Sequence, residues 1–343
     1  CPPASCPPVS VLVAAYNEAK VIRQTLKTVL ATHYPGALEV VVVDDGSQDG
    51  TGDIVAAMAL EDPRIRLIRQ VNLGKARALI QGLQGVRHWI VVSLDADTQF
   101  QPNTITELVR PFADPQVGAV SGRARVGNLD TLFARFQGLE YSCGFNLDRR
   151  AYDQLNCITV VPGAVSAFRL EAIQDRDRRH EPEGPLDLDD AQAIQAAGGI
   201  STDTLAEDTD LTLNLHRMGF RIRYAPQAVA WTEAPETPET FVRQRFRWAF
   251  GTLQCLWKHR DMLFALRHGA LGWFSLPNAW FFNFVLVAIG LLVDLVLLGA
   301  LLLNPTNPLL YIYFFTFIAS DMVLAAVAYW IEREPLRQIW LIL

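Results

Sequence analysis

Four clusters in this chain combine residue types that do chemistry with spacings that let them act together. They are Asp44-Asp45, Asp95-Ala96-Asp97, Glu207-Asp208 and the Q-x-x-R-W run of Gln244, Arg247 and Trp248. A hard divalent cation, Mg2+ or Mn2+, takes carboxylate oxygens and needs few of them when phosphates supply the rest. The Asp-x-Asp triplet suits that task. In an extended segment residues two apart point the same way, so Asp95 and Asp97 share a side. Asp97 is then the metal ligand, with Asp95 beside it and in reach of a nucleotide's ribose or diphosphate. Alone, the triplet reads equally as a solvated turn, but it follows the apolar run Val91-Val92-Ser93-Leu94. Asp44-Asp45-Gly46-Ser47 follows residues 40–43 in the same way. A carboxylate there accepts a nucleobase N–H, and Gly46 lets the backbone come close; a helix N-cap by Ser47 or Asp49 is the other reading, and the two are compatible. Lys75 stands at a helix start and either pairs with phosphate or is a surface lysine. Asp208 is the candidate general base for an attacking hydroxyl, although Glu207-Asp208 at a helix N-terminus also offsets the helix dipole. Trp248 offers a flat apolar platform and Arg247 a rigid fork for phosphate oxygens. A membrane-interface helix with a Trp belt would carry the same residues.

These clusters need a frame that gathers distant stretches. Residues 9–15, 40–43, 65–68 and 89–94 are apolar runs of strand length. Between the first two, Val21, Ile22, Leu26, Val29 and Leu30 recur with a helical period behind Asn17 and Glu18, which open the helix. Further helices are expected from Ser47 to about residue 60 and from near Gly74 through residue 83. The alternation predicts an α/β fold with a mostly parallel central sheet. Ligands of such sheets sit beyond the carboxyl ends of the strands, which puts Asp44-Asp45 and Asp95–Asp97 on one rim. No G-x-G-x-x-G follows the first strand, which argues against a dinucleotide-binding oxidoreductase. Residues 175–190 are charged, contain prolines and read as an exposed loop. Residues 204–218 read as a helix with Glu207 and Asp208 at its start, and 221–229 as a strand.

The chain has 343 residues, half of them hydrophobic, and a formal net charge of -6. A nucleic-acid binder needs a basic surface, so no nucleic-acid partner is expected. The apolar excess lies at the end. Residues 240–266 are amphipathic and rich in Trp, Phe and Arg, the composition of a helix lying at a lipid bilayer surface. Residues 279–303 and 309–331 are each long enough to cross a hydrocarbon core of about 30 Å. A polar turn, 304–308, joins them, and a third apolar run starts at Ile339. Lys258, Arg260 and Arg267 precede the pair, Arg333 and Arg337 follow it, and the turn has no charge, so the first part of the chain belongs in the cytoplasm. Asp294 and Asp321 are costly in lipid and are expected to face protein, most simply in a helix-packing hydrogen bond. Five cysteines without C-x-x-C spacing make neither a disulfide framework nor a zinc site. The division expected is a proline-rich stub (1–8), a catalytic domain (9–235), interfacial helices (236–270) and a transmembrane region (271–343). Starting at Cys1 and ending inside an apolar run, the chain reads as a fragment.

Residues 9–17, Asp44-Asp45-Gly46-Ser47, Asp95-Ala96-Asp97, Ala206-Glu207-Asp208 and Gln244-Arg245-Phe246-Arg247-Trp248 stand in the order of a family 2 glycosyltransferase. Over about residues 9–340 the chain resembles the processive membrane type, which includes cellulose, chitin, hyaluronan and poly-N-acetylglucosamine synthases. Phe145-Asn146-Leu147-Asp148-Arg149-Arg150 and Val160-Val161-Pro162-Gly163-Ala164 resemble the bacterial poly-β-1,6-N-acetylglucosamine synthases in particular. The resemblance implies a GT-A fold, a UDP-sugar donor (UDP-N-acetylglucosamine by preference), Mg2+ or Mn2+, inversion at C1 and a growing polysaccharide as acceptor. It implies a multi-pass protein of the bacterial inner membrane, with room for a membrane partner subunit. By the same resemblance Tyr16 and Glu18 line the uridine pocket, Asp45 beside Asp44 binds uracil, and Asp95 and Asp97 serve nucleotide and metal. Gly163 sits by the acceptor, Asp208 beside Glu207 is the base, and Gln244, Arg247 and Trp248 hold the acceptor end and diphosphate. The segment 174–200 is longer and more acidic than the family pattern. Two other readings stay open: a membrane transferase adding one sugar to a lipid, and a non-catalytic nucleotide-sugar sensor, against which the intact acidic set speaks.

Overall fold

The computed structural model describes residues 6–173, 200–304 and 306–332. Eight strands form one sheet in the order β3-β2-β1-β4-β7-β6-β8-β5. They are β1 (Val9–Ala15), β2 (Leu38–Asp45), β3 (Ile65–Gln70), β4 (Ile90–Asp95), β5 (Gln99–Phe100), β6 (Val117–Val126), β7 (Ser166–Arg169) and β8 (Arg221–Thr232). β1 to β4 are mutually parallel, and β6 and β8 run the same way; β7 is antiparallel between β4 and β6, and β5 antiparallel to β8. The mostly parallel α/β sheet expected from the sequence is therefore present.

Helices cover both faces, and the strand sequences follow from that. One layer holds α1 (Ile22–Leu30), α2 (Thr51–Glu61) and α4 (Thr104–Val109); α3 (Lys75–Gly85) covers the other. Val40 and Val42 enter the first layer and Val41 and Val43 the second, all four fully buried. A strand buried on both sides reads as a continuous apolar run rather than an alternating one. Each such valine contributes about 1.5–3 kcal/mol of transfer free energy.

Further on, α5 (Leu132–Glu140), a π-helical turn (Tyr141–Asn146) and α6 (Leu147–Gln154) make one continuous rod. α7 (Glu207–Arg217) precedes β8. α8 (Pro238–Lys258) starts on a Thr237 side-chain cap with Pro at its first position, a combination that suits a helix N-terminus. Two long apolar helices close the described part, α9 (Leu271–Leu303) and α10 (Pro308–Glu332).

Several expectations need correction. α1 begins at Ile22, not at Asn17, because Asn17 has a left-handed φ of 57° and its neighbours bond outward. β4 stops at Asp95 and Asp97 lies in the following turn, so the shared-side argument for an extended Asp-x-Asp does not apply. The amphipathic helix ends at Lys258 and gives way to short turns at Arg260–Met262 and Leu266–His268. Asp294 is exposed on α9 and Asp321 half-exposed on α10, and neither has the expected protein hydrogen bond among the described residues. The charged stretch 175–190, Arg333, Arg337, the apolar run from Ile339 and the first five residues of the stub lie outside the described residues.

Candidate active site

The strand order reverses between β1 and β4, and in such sheets ligands bind at that point, beyond the carboxyl ends of the strands. Ala15 pairs with Asp44 and Ala14 with Asp95, so the two acidic clusters flank the end of β1. On the β2 side the loops are tied together. The Asn17 N–H donates to Ser47 Oγ at 3.0 Å, the Glu18 N–H to Thr51 Oγ1 at 2.8 Å and the Ala19 N–H to Asp49 Oδ2 at 2.9 Å. Asp44 Oδ1 accepts the Ser47 N–H. Asp45, 3% exposed, accepts from Gln70 Nε2 at 2.7 Å and from the Leu73 and Gly74 N–H groups, each at 2.9 Å. It thereby anchors the start of α3, and three of its roughly four lone-pair positions are taken. Tyr16 stands out from this loop, 48% exposed.

On the β4 side four predicted residues meet. Lys75 Nζ lies 2.6 Å from Asp95 Oδ1 and 3.5 Å from Glu207 Oε1. Gly163 backs them: a Cβ there would come within 2.8 Å of Lys75 Nζ and 3.3 Å of Asp95 Oδ1. A side chain at 163 would therefore close the floor of the crevice. Burial alone would lower the Lys75 pKa, but Asp95 and Glu207 hold it above its usual value. Lys75 is thus neither a bare surface lysine nor a free phosphate hook, since it already bridges two carboxylates.

Asp208 follows on the first turn of α7. Its Oδ1 accepts the Thr209 N–H at 2.7 Å. Burial, reinforced by Glu207, pushes its pKa up to about 6, with Lys75 opposing. A carboxylate lifted toward neutrality beside a crevice is what a general base at neutral pH requires.

Among the described residues Asp97 accepts only two long hydroxyl contacts, from Thr98 at 3.3 Å and Thr232 at 3.4 Å. Burial first, then Asp95 and Glu233, raise it to about 6. Glu18 is raised to about 7, by burial and then by Asp97 and Glu233. Carboxylates that push one another toward protonation are short of positive charge, and a divalent cation would supply it. Among the described residues no group of three or more His, Cys, Asp or Glu side chains could by itself hold a metal ion. A cation here would need donor phosphates as ligands.

The Q-x-x-R-W residues lie on α8, which packs against the segment before α7. Gly251, one turn beyond Trp248, lets α8 press on the backbone before α7: a Cβ at 251 would lie 2.8 Å from Ala206 Cβ and 3.0 Å from the Leu205 carbonyl carbon. The Leu205 N–H donates to Gln254 Oε1 at 3.0 Å. Trp248 therefore rides on the helix that abuts the residues just before Glu207-Asp208. Its ring meets Phe145 edge-on at 5.8 Å, and Phe145 meets Tyr141 at 5.3 Å. Gln244 Oε1 accepts from Gln137 at 3.2 Å. Arg247 is exposed and makes no ion pair among the described residues; Arg245 pairs with Glu140 and lies 4.9 Å from the Trp248 ring centre.

Lys75, Asp95, Gly163 and Glu207 are thus in direct contact, with Asp208, Asp97 and Glu18 in the same field. Asp44 and Asp45 are turned into the loop network. Sequence reasoning missed Glu233. It directly follows β8, and the strand-end rule that found Asp95 would have found it. The shelf residues Phe145 and Tyr141 carry no spacing signal toward Trp248.

A family model described as glycosyltransferase like family 2 matches residues 7–251. The poly-beta-1,6-N-acetyl-D-glucosamine synthase of Staphylococcus aureus (strain COL) is 30% identical over 244 residues, 71% of this chain and 54% of that protein. The Staphylococcus epidermidis enzyme of the same name is 29% identical over the same shares. The chain therefore spans about half the length of the curated relatives it matches. The solved structure of mannosyltransferase PcManGT from Pyrobaculum calidifontis, in complex with GDP-Man and Mn2+, matches with a TM-score of 0.61 at 25% identity, covering 95% of this chain and 87% of that one. The fold is of the GT-A type, and the chain belongs to glycosyltransferase family 2 and is an enzyme of that family.

Proposed function

We propose that this enzyme is an inverting, processive membrane transferase that polymerises a UDP-sugar, UDP-N-acetylglucosamine by preference, into an exopolysaccharide. The observation that carries the reading is the docking of the Trp248 helix, through Gly251, against the backbone before Glu207-Asp208. That contact sets an indole shelf for an acceptor sugar beside a carboxylate primed as a base. The choice of sugar leans on the likeness to the staphylococcal synthases.

In this reading residues 9–235 bind donor and carry out transfer, 236–270 lie at the bilayer surface and 271–343 belong to the membrane. The two apolar helices suggest membrane association, since their most apolar stretches are 0% and 6% buried inside the protein. The catalytic part faces the cytoplasm of a bacterium. Tyr16, Glu18 and the loop anchored by Asp44 and Asp45 frame the nucleoside. Asp97, with Asp95, is the place for Mg2+ or Mn2+. Such a cation would act as a Lewis acid on the leaving diphosphate. Lys75 holds Asp95 and Glu207 apart and in register, and Arg247 faces the diphosphate. Trp248, with Gln244 behind it, supports the terminal acceptor sugar over Gly163. Asp208 removes the proton from the acceptor hydroxyl as its oxygen attacks C1 and the nucleoside diphosphate departs.

A second reading, transfer of a single sugar from a GDP-sugar, is favoured by the structural likeness to the mannosyltransferase along nearly the whole chain. A donor panel separates the two. Membranes carrying the full-length protein should release UDP from UDP-N-acetylglucosamine with Mg2+ and yield long polymer. Release only from GDP-mannose, or only single-sugar lipid products, would reject the polymerase.

A further inference from the structure

Arg149 stands out among the described arginines. It lies half-buried on α6 yet makes no ion pair among the described residues. By contrast Arg150 pairs with Glu332, Arg223 with Asp153, Arg245 with Glu140 and Arg217 with Asp261. Arg149 has one polar contact, from Nε to the Val160 carbonyl at 3.4 Å, and its guanidinium lies 5.9 Å from the Phe145 ring centre. The terminal nitrogens are not sealed in the interior, so they open toward solvent without a protein acceptor. Burial lowers the Arg149 pKa, while the carboxylates of Asp208 and Asp148 help to hold the charge.

Its surroundings fix where those N–H groups sit. Phe145 joins Arg149 to the Trp248 shelf at 5.8 Å. Val160 leads to Val161, whose N–H donates to Thr212 Oγ1 at 3.0 Å; that hydroxyl in turn donates to the Asp208 carbonyl at 2.6 Å. Arg149 is therefore wedged between the aromatic shelf and the backbone that carries Gly163 and Asp208. Half-buried, without a counter-ion and with its terminal N–H groups open on one side, this guanidinium has donors left for an incoming ligand to satisfy.

We infer that Arg149 is an acceptor-binding residue, its free guanidinium N–H groups donating to hydroxyl or amide oxygens of the terminal acceptor sugar while that sugar rests on Trp248. This rests on the polymerase reading, with acceptor at Trp248 and base at Asp208. A planar fork can bridge two oxygens on one sugar edge, which an ammonium cannot do in the same way.

The test uses membranes carrying the full-length protein, saturating UDP-N-acetylglucosamine and Mg2+. UDP release is measured against the concentration of a short β-linked N-acetylglucosamine oligomer, and UDP binding is measured separately. Arg149→Gln should raise the half-saturating oligomer concentration about tenfold or more, the scale of one lost charge-assisted hydrogen bond. Its UDP affinity should stay at the wild-type value, and Arg149→Lys should recover part of the loss. An unchanged oligomer dependence in Arg149→Gln would overturn the inference alone, as would a parallel loss of UDP affinity in both variants. Wild-type protein that releases no UDP, or makes no oligomer-dependent product, would overturn the polymerase reading and this inference with it.

Discussion

At the scale of single residues the site is a problem of placing negative charge. Glu207 and Asp208 are adjacent, and Lys75 can compensate only part of their repulsion. Asp208 is lifted to about 6, so it should be ionised and able to accept a proton at pH 7 and lose that capacity below about pH 6. Turnover should therefore fall along an acid limb centred near pH 6. The profile must be read at saturating Mg2+, because Glu18 and Asp97 are also lifted and a bound cation would pull both down. Asp208→Asn should bind UDP nearly normally and lose turnover by roughly 10²-fold or more. Stability supplies an independent check. The folded-state pKa lies above the ordinary value, so Asp208 favours folding at low pH and that contribution is lost as pH rises through about 6. The Asn variant removes a disfavoured charge, and its thermal midpoint at pH 7 should be equal to or above that of the wild type. An inactive variant with a clearly lower midpoint would point to damaged folding instead of a lost base.

At the scale of elements, legibility followed burial and chain locality. β2 could be read because burial on both faces leaves the run Val40–Val43 unbroken. The rim positions of Asp44 and Asp95 followed from strand ends alone. The turn at Asp97 was not readable, because part of what holds it is far away in sequence: Thr25 Oγ1 on α1 donates to the Ala96 carbonyl at 2.7 Å, and Thr232 at the end of β8 reaches Asp97 at 3.4 Å. The same holds for β7, four residues inserted antiparallel between β4 and β6. The contact of Gly251 with Ala206 was equally hidden, since one glycine in a helix has many uses. A buried network holds that contact in register. Asp210 on α7 is fully buried; it accepts from His259 Nε2 at 2.8 Å, Lys258 Nζ at 3.1 Å and Asn214 Nδ2 at 3.2 Å. Arg217 Nη2 lies 3.1 Å from His259 Nδ1, which ties the ring to α7 at its other edge as well. His259→Ala should strip a buried carboxylate of one donor and cost about 3 kcal/mol, the scale of a broken buried polar pair. The thermal midpoint should fall, and the base helix should loosen against α8. An unchanged midpoint would mean that the helices are held by apolar packing alone.

At the scale of the whole molecule the question is how the membrane part is tied to the chemistry. α10 leaves its apolar stretch and buries Ala325, Ala328 and Tyr329, with Ala325 and Tyr329 packing against Leu139 and Cys143 of the α5 rod. Its last described residue is Glu332, whose side chain has no exposure. One Glu332 oxygen lies 2.9 Å from Arg123 Nε on β6; the other accepts from Arg150 Nε at 3.1 Å and Nη2 at 2.8 Å on α6. Arg123 Nη2 also donates to the Glu332 carbonyl at 2.7 Å. The partners of Glu332 belong to the sheet and to the rod that carries Tyr141, Phe145 and Arg149. The seat of the apolar helix α10 and the aromatic shelf are thus one structural unit, and π-helical turns of the kind found at Tyr141–Asn146 are common at functional sites. Glu332→Ala would take from Arg123 and Arg150 the buried carboxylate they share, at a cost of about 3–5 kcal/mol. Amide exchange should rise across Tyr141–Asn146 and at the last turn of α10, while the loops around Asp44 and Asp95 keep their protection. In the polymerase reading the same variant should shorten product more than it slows UDP release, because the shelf moves against the membrane while the donor cleft does not. Equal protection of Tyr141–Asn146 in variant and wild type would show that the rod is held by the sheet alone and that the membrane helix does not set the position of the shelf.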